Sequence, residues 1–190
     1  MTDRPRTGGA LATPHAAPHA EHEASAPAIV VGLADAADFD ELGDIVVAAY
    51  ASLDHPLDGG YARELRDVAR RAVGAVVLAA TEASTGRPVG CTTYVPGPES
   101  PWAERVADHE AGMRMLAVHP QWLRRGVGAA LTSACVARAR SEGRRALMLH
   151  STPWMVAAHR LYARLGFVRA PDIDWHPVPD VPLLGYRLEL

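Results

Sequence analysis

The 190-residue sequence contains no lysine and no asparagine, and Gln121 is its only glutamine. Because all 19 basic residues are arginines, the chain cannot belong to the enzymes that use a lysine as nucleophile or Schiff-base former. Cysteine is scarce as well: Cys91 and Cys135 form no Cys-x-x-Cys pair, and a chain of this length needs no disulfide framework. We expect both cysteines to be buried free thiols.

Long apolar runs are also missing. No segment approaches the roughly 20 consecutive apolar residues of a membrane-spanning helix, and no apolar core of a secretory signal follows the first residues. The 19 basic and 22 acidic residues give a net charge of −3, which argues against a generic nucleic-acid-binding surface. A hydrophobic fraction of 48% is ordinary for a globular protein. We therefore expect a cytoplasmic globular protein.

Residues 1–27 differ in composition from the remainder. They are rich in alanine, proline and histidine and show no hydrophobic periodicity, which predicts a disordered tail followed by a single domain over residues 28–190. Three histidines of the tail lie at helical spacing: His15, His19 and His22. Nearby prolines oppose a helix, and no carboxylate or thiol pattern completes a ligand set, so we expect no metal site.

Hydrophobic periodicity and turn residues predict a chain of strands and helices. The predicted strands cover residues 29–33, 75–80, 88–95, 111–118, 146–150, 167–169 and 183–190. The predicted helices cover residues 39–53, 61–72, 127–142 and 153–165, with Asp35 or Asp38 capping the first and Thr152 the last. A proline-rich loop, Pro171 to Pro182, precedes the closing strand. This order is typical of an α/β chain with mixed strand pairing, and not of a regular doubly wound sheet.

Residues 113–129 organise the chain. They begin as a buried strand, pass through a turn at Pro120, and continue as an Arg/Gly loop that opens into a helix. The start of a helix presents unpaired N–H groups and a partial positive charge, and glycine lets a phosphate approach them, so we expect a phosphorylated ligand there. Two nucleotide motifs are excluded, because Gly126-Val-Gly128 lacks the third glycine of a dinucleotide fingerprint and no Gly-Lys-Ser/Thr exists.

Two segments resemble motifs of the GNAT N-acetyltransferase superfamily. Leu116-Ala-Val-His-Pro120, followed by Arg124-Arg-Gly-Val-Gly-Ala129, resembles its acetyl-CoA motif, and Ala157 to Phe167 resembles the following motif, which ends in Leu-Tyr-x-x-x-Gly-Phe. The chain departs from the usual pattern at Leu123, where Gln or Arg is common, and at Met155, where Asn is common. The resemblance implies an α/β (α+β) fold, with a mixed, mostly antiparallel central sheet of about six or seven strands flanked by about four helices.

The resemblance implies transfer of an acetyl group from acetyl-CoA to a primary amine of a small molecule or peptide, by direct attack in a ternary complex. The residues implied to bind acetyl-CoA are Leu116, Ala117, Val118, Arg124, Arg125, Gly126, Val127, Gly128 and Ala129. The main chain of the first three would bind pantetheine, and the amides of the others would bind pyrophosphate. A non-catalytic acyl-CoA sensor is the alternative, and a homodimer is compatible with either function.

Two residues are implied to be catalytic. Tyr162 matches the family tyrosine that gives a proton or hydrogen bond to the departing sulfur, although simple packing on its helix is the alternative. Glu110 is the first candidate for the base, acting through water, ahead of three histidines that titrate near neutrality: His109, His119 and His150. Five aromatic or imidazole side chains are candidates for the walls of the acceptor site, although ordinary packing or loop anchoring is the favoured role for each: Tyr50, His55, Tyr61, Trp175 and His176.

Overall fold

The structure, a computed structural model, describes Met1, residues 28–53 and residues 55–190. Apart from Met1, the predicted tail with its three histidines lies outside the described residues. Over the described ranges, the chain contains no helix that is both long and apolar enough to cross a membrane.

A sheet of eight strands forms the centre of the molecule. The strands are β1 (Ile29–Leu33), β2 (Val76–Glu82), β3 (Pro88–Val95), β4 (Glu110–Val118), β5 (Ala146–Ser151), β6 (Val168–Arg169), β7 (Trp175–Val178) and β8 (Val181–Glu189). The order of hydrogen-bonded neighbours is β1-β2-β3-β4-β5-β8-β6. β7 lies off this path and pairs directly with β8. Every neighbouring pair is antiparallel except β4 and β5. This confirms the mixed, mostly antiparallel sheet, with one more strand than expected.

In the described part of the chain, five α-helices cover the two faces of the sheet. They are α1 (Phe39–Ala51), α2 (Gly59–Arg66), α3 (Val68–Arg71), α4 (Val127–Ser141) and α5 (Val156–Arg164). One apolar cluster joins α1, α2 and α3 to one sheet face, and a second joins α4 and α5 to the other. Alternate side chains of the strands supply the two clusters, as in Val77 and Leu78 of β2. The two cysteines are buried free thiols, one in each cluster, as predicted.

The predicted second helix is two helices. The chain breaks at Asp67, whose ψ of 75° is not helical, and the Asp67 carboxylate caps α3 by accepting from the backbone N–H of Arg70 at 2.9 Å. The periodicity does not reveal this break, because Leu65 and Val68 are both buried on the same side. At the first helix, Asp35 caps only the 3-10 turn that precedes α1, and Asp38 makes no side-chain cap.

Two other boundaries differ from the prediction. The predicted proline-rich loop contains β7, which pairs with β8 at the edge of the sheet, where proline is tolerated. Thr152 does not cap α5, since the helix begins at Val156 and the residues before it form a turn closed by Met155 N–H and Thr152 O at 3.1 Å. Gly166 ends the helix as expected, with a φ of 90° that favours glycine.

The centre of the sheet is split at the carboxyl end of β4. The parallel pairing of β4 with β5 covers only four residue pairs and ends at Met113 and Leu149. Beyond that point β4 bulges: Met115 and Leu116 face the single residue Thr92 of β3, and Met115 has a φ of 52°. β5 continues its pairing with β8 on its other side. The two central strands therefore diverge, and one edge of β4 is left without a strand partner.

Candidate active site

The split places the predicted pantetheine residues along an open strand edge. Ala117 and Val118 pair with Cys91 and Gly90 of β3, but residues 114–118 have no partner on the β5 side. Ala117 is buried, and Leu116 and Val118 are partly exposed. A strand edge with free main-chain groups can bind an extended ligand as an added strand.

The loop that follows β4 ends in the start of α4. The first helical residues are Val127, Gly128 and Ala129, and no described side chain caps their amides. Arg124 and Gly126 both have positive φ, of 62° and 85°, a conformation that is costly for arginine and that is found most often where function requires it. The unpaired amides, the helix dipole and two exposed arginines, Arg124 and Arg125, make this loop an anion-binding surface.

Close packing joins this loop to the other parts of the site. A Cβ at Gly128 would lie 3.2 Å from Cδ2 of Leu161 on α5, with Val118 and Leu116 of β4 also within 4 Å. The guanidinium of Arg125 lies 5.3 Å from the ring centroid of Trp122. The backbone of α4 thus approaches β4 and α5 more closely than a side chain at position 128 would allow.

A cavity of about 620 Å³ opens on the other side of the split. Its wall comes from α1, α2, β4, β5, the turn before α5 and the β7–β8 hairpin. The lining residues are Tyr50, Leu53, His55, Pro56, Leu57, Asp58, Tyr61, Glu64, Glu104, Met113, Arg114, Met115, His150, Ser151, Thr152, Trp154, Met155, Pro177, Val178, Val181 and Leu183. Three of the expected acceptor-site residues are among them, whereas Trp175 and His176 are not.

Glu104 is held in the cavity wall by Arg114. The Arg114 Nη2 lies 2.6 Å from Glu104 Oε1, while Nη1 donates to the carbonyl oxygen of Trp102 at 2.9 Å. Desolvation raises the pKa of Glu104 above its ordinary value; the charge of Arg114 opposes this rise and that of Glu64 adds to it. A carboxylate with a raised pKa beside a cavity is a candidate proton acceptor.

Burial also shifts the pKa values of Tyr50, Tyr61 and His150 in the wall towards the neutral form. Desolvation raises the pKa of Tyr50 and of Tyr61, whose rings meet edge to face at 6.1 Å. Desolvation lowers the pKa of His150, and its Nε2 lies 2.8 Å from the carbonyl oxygen of Ile173. Since a carbonyl only accepts, Nε2 of His150 carries the proton.

Tyr162 lies on α5 on the opposite side of the split from the cavity. It is only 5% exposed and packs between Phe167 and Tyr186, with ring centroids 5.8 Å and 5.9 Å away. Desolvation raises its pKa well above the ordinary value for tyrosine. Its phenol therefore keeps its proton across the physiological range and can donate a hydrogen bond.

Glu110 lies apart from the other predicted site residues. It begins β4 at the end opposite Leu116, and six residues of strand at about 3.3 Å each separate them by about 20 Å. Glu110 is 1% exposed; its Oε1 accepts from Arg187 Nε at 2.6 Å and its Oε2 from the Ala107 N–H at 3.2 Å. This ion pair accounts for the burial of Glu110 without any part in the cavity.

The histidines considered with Glu110 are also accounted for by the fold. His109 is exposed beside Glu110, and His119 Nδ1 accepts from the Gln121 N–H at 3.3 Å, which shapes the turn after β4. Only His150 reaches the cavity. In the part of the chain that the structure describes, no group of three His, Cys, Asp or Glu side chains is placed to hold a metal ion.

The sequence model of the acetyltransferase (GNAT) family matches residues 39–167. The chain belongs to the GNAT acetyltransferase family. This confirms the resemblance seen in the two motifs, and acetyl transfer from acetyl-CoA is the general activity that GNAT membership supports. A search of curated proteins by sequence finds no match.

Solved GNAT structures share the fold at low sequence identity. An acetyltransferase of the GNAT family from Staphylococcus aureus Mu50 is 14% identical with a TM-score of 0.66, and the alignment covers 85% of this chain and 99% of that one. The yncA protein of Salmonella typhimurium, solved with its cofactor acetyl-CoA, is 20% identical with a TM-score of 0.59 over 85% and 94%. The ribosomal-protein-S18-alanine N-acetyltransferase of Escherichia coli is 20% identical with a TM-score of 0.62 over 85% and 94%.

Proposed function

We propose that this GNAT protein transfers the acetyl group of acetyl-CoA to a primary amine by direct attack in a ternary complex. The observation that carries the proposal is the continuity of the split. It leads from the anion-binding start of α4, along the open edge of β4, to a cavity that contains a carboxylate with a raised pKa. Donor and acceptor would meet at the bulge of β4.

The donor would bind along the part of the split that the two motifs supply. The amides of residues 126–129, with Arg124 and Arg125, would hold the pyrophosphate. The main chain of Leu116, Ala117 and Val118 would pair with the pantetheine arm as a strand does. An N–H of Ala117 or Val118 would then polarise the thioester carbonyl, which needs a fixed donor near the oxygen that gains charge.

The chemistry requires two proton transfers. The amine loses a proton before or as its lone pair attacks the thioester carbon, and we assign this proton to Glu104, in place of Glu110, directly or through one water. The C–N bond forms, the C–S bond breaks, and the electron pair of that bond leaves on the sulfur of coenzyme A. Tyr162 would stabilise this thiolate by donating a hydrogen bond to the sulfur, and the thiolate would take its proton from solvent.

A thiol-release assay over a panel of primary amines tests the proposal, with acetyl-CoA binding measured separately by calorimetry. Because the chain contains no lysine, its own side chains supply no primary amine that would compete with the added one. We expect binding of acetyl-CoA and amine-dependent release of coenzyme A. Binding without release on any amine would instead support the acyl-CoA sensor, an alternative that the departures at Leu123 and Met155 leave open.

A further inference from the structure

We propose that the acceptor is a small primary amine with a single cationic group and an apolar body. Its ammonium group would lie at Glu64 and Glu104, and its body would contact the β7–β8 hairpin. This proposal rests on the proposed function, since it names the substrate class of the same site.

The cavity has the dimensions of a small-molecule site. Its volume of about 620 Å³ falls within the range that buries a ligand of drug size. The His55 ring stacks on Trp154 with centroids 4.0 Å apart and an interplanar angle of 21°. This stack joins the segment between α1 and α2 to the turn before α5, so a polypeptide crossing the wall at this point would have to separate the two rings.

The charge of the wall matches one ammonium group. Among the lining residues that the structure describes, there are three carboxylates, of Asp58, Glu64 and Glu104, and one guanidinium, that of Arg114. Asp58 caps α2 by accepting from the N–H groups of Gly60 and Tyr61, at 2.7 Å and 3.2 Å, and Glu104 is paired with Arg114. Glu64 enters none of the ion pairs among the described residues. One carboxylate thus remains for one cation, with the Tyr50 and Tyr61 rings beside it.

Most of the remaining wall is apolar. The apolar side chains are Leu53, Pro56, Leu57, Met113, Met115, Met155, Pro177, Val178, Val181 and Leu183, and the polar ones are His150, Ser151 and Thr152 on β5 and the turn after it. Val178 of the hairpin is 53% exposed although it lines the cavity, and an exposed apolar side chain in a concave site is a contact for an apolar ligand. Hydroxyl or ammonium groups of an aminosugar or a polyamine that lie against the apolar side chains would lose their hydrogen bonds to water.

A kinetic comparison of five amines tests the class. The probes are 2-phenylethylamine and hexylamine against spermidine, glucosamine and a peptide with a free N-terminal alanine. We expect kcat/KM for the two apolar amines to exceed that for the others by about tenfold or more. Preference for the peptide, the polyamine or the aminosugar would overturn the substrate class and leave the acetyl transfer intact. Release of no thiol with any amine would overturn the proposed function itself.

Two matched pairs of variants test the two ends of the cavity. Glu64→Gln should raise KM for 2-phenylethylamine about tenfold, whereas Glu99→Gln, at an exposed position outside the cavity, should not. Val178→Ser should raise the same KM about fivefold, whereas Val73→Ser, 70% exposed and outside the cavity, should not. Affinity for acetyl-CoA should be the same in all four variants. An unchanged KM in both cavity variants would contradict the proposed orientation of the amine in the cavity and the proposed substrate class.

Discussion

Glu104 and Glu110 are both paired with an arginine at 2.6 Å, but only Glu104 lies at the cavity. Glu104 borders the cavity, and Glu110 is buried at the far end of β4 beside Arg187. Replacing each by glutamine keeps the shape of the side chain and removes the charge. The two variants should therefore separate a contribution to catalysis from a contribution to folding.

Glu110→Gln should lower stability and leave catalysis unchanged. The substitution leaves Arg187, whose side chain is 23% exposed, without its buried counter-charge, at a cost of about 2 kcal/mol in the free energy of unfolding. For a chain of this size that is a fall in Tm of about 5 °C, measured by differential scanning fluorimetry. If kcat per folded molecule drops as well, Glu110 takes part in the reaction after all.

Glu104→Gln should change the pH dependence of turnover. A base must be deprotonated, and the pKa of Glu104 is raised by desolvation. In the native protein, kcat should therefore fall as the pH decreases through a value above the ordinary range of glutamate. The variant should lose this pH dependence and show kcat per folded molecule reduced by about 100-fold. A pH dependence that persists in the variant would assign it to another group.

Tyr162→Phe should lower kcat by about 100-fold without weakening acetyl-CoA binding. The phenol is buried and its pKa is raised, so it stays protonated and can donate a hydrogen bond at every pH used for assays. Tyr186→Phe is the matched control, because it removes a hydroxyl from the same aromatic cluster. Equal turnover of the two variants, measured by thiol release, would leave Tyr162 with a packing role only.

At the scale of elements, α4 offers a comparison within one helix. Gly126 and Gly143 flank its two ends, both have positive φ (85° and 70°), and a Cβ at either would meet nothing within 4 Å. Gly126→Asp and Gly143→Asp should therefore carry the same backbone strain. Only the first places a negative charge against the proposed phosphate site. We expect calorimetry to show acetyl-CoA affinity reduced at least tenfold in Gly126→Asp and unchanged in Gly143→Asp.

The sequence predicts best the elements that show hydrophobic periodicity and are flanked by turn residues. The bounds of β1 and β3 agree with the prediction, and α4 begins directly after Gly126. β7 was missed because Pro177 and Pro179 are typical of loops, and only its place at the sheet edge makes the strand possible. The split was not predictable from composition, since it depends on the bulge at Met115 and on the length of pairing with β5.

Motifs predict the donor part of the candidate site, and three side chains named without a motif, Tyr50, His55 and Tyr61, also line the cavity. The donor loop and Tyr162 lie in continuous segments whose spacing is fixed by one strand–helix unit or one helix. Glu64 and Glu104 come from two segments without such a pattern, and the segment that contains Glu104 has no regular secondary structure. Tertiary packing alone brings them to one cavity. Glu110, in contrast, is close to the motif in sequence but lies far from the cavity in space.

At the scale of the whole molecule, the donor would complete the sheet. β1–β4 and the group of β5, β6, β7 and β8 are joined by four residue pairs only. Pantetheine bound along β4 would add hydrogen bonds at the point where β4 and β5 diverge. In amide hydrogen exchange, residues 114–118 should gain protection when acetyl-CoA binds, while residues 110–113 should not change. Uniform protection along β4 would contradict binding in the split.

The short pairing between β4 and β5 also affects the last step of the catalytic cycle, the release of coenzyme A. If coenzyme A binds β4 as an added strand does, its release must break a row of main-chain hydrogen bonds one after another. The release rate would then rise steeply with temperature, as strand separation does, and less like diffusion from a rigid pocket. For the amines that react fastest, the release of coenzyme A would limit turnover. The maximum kcat would therefore be the same for all of these amines.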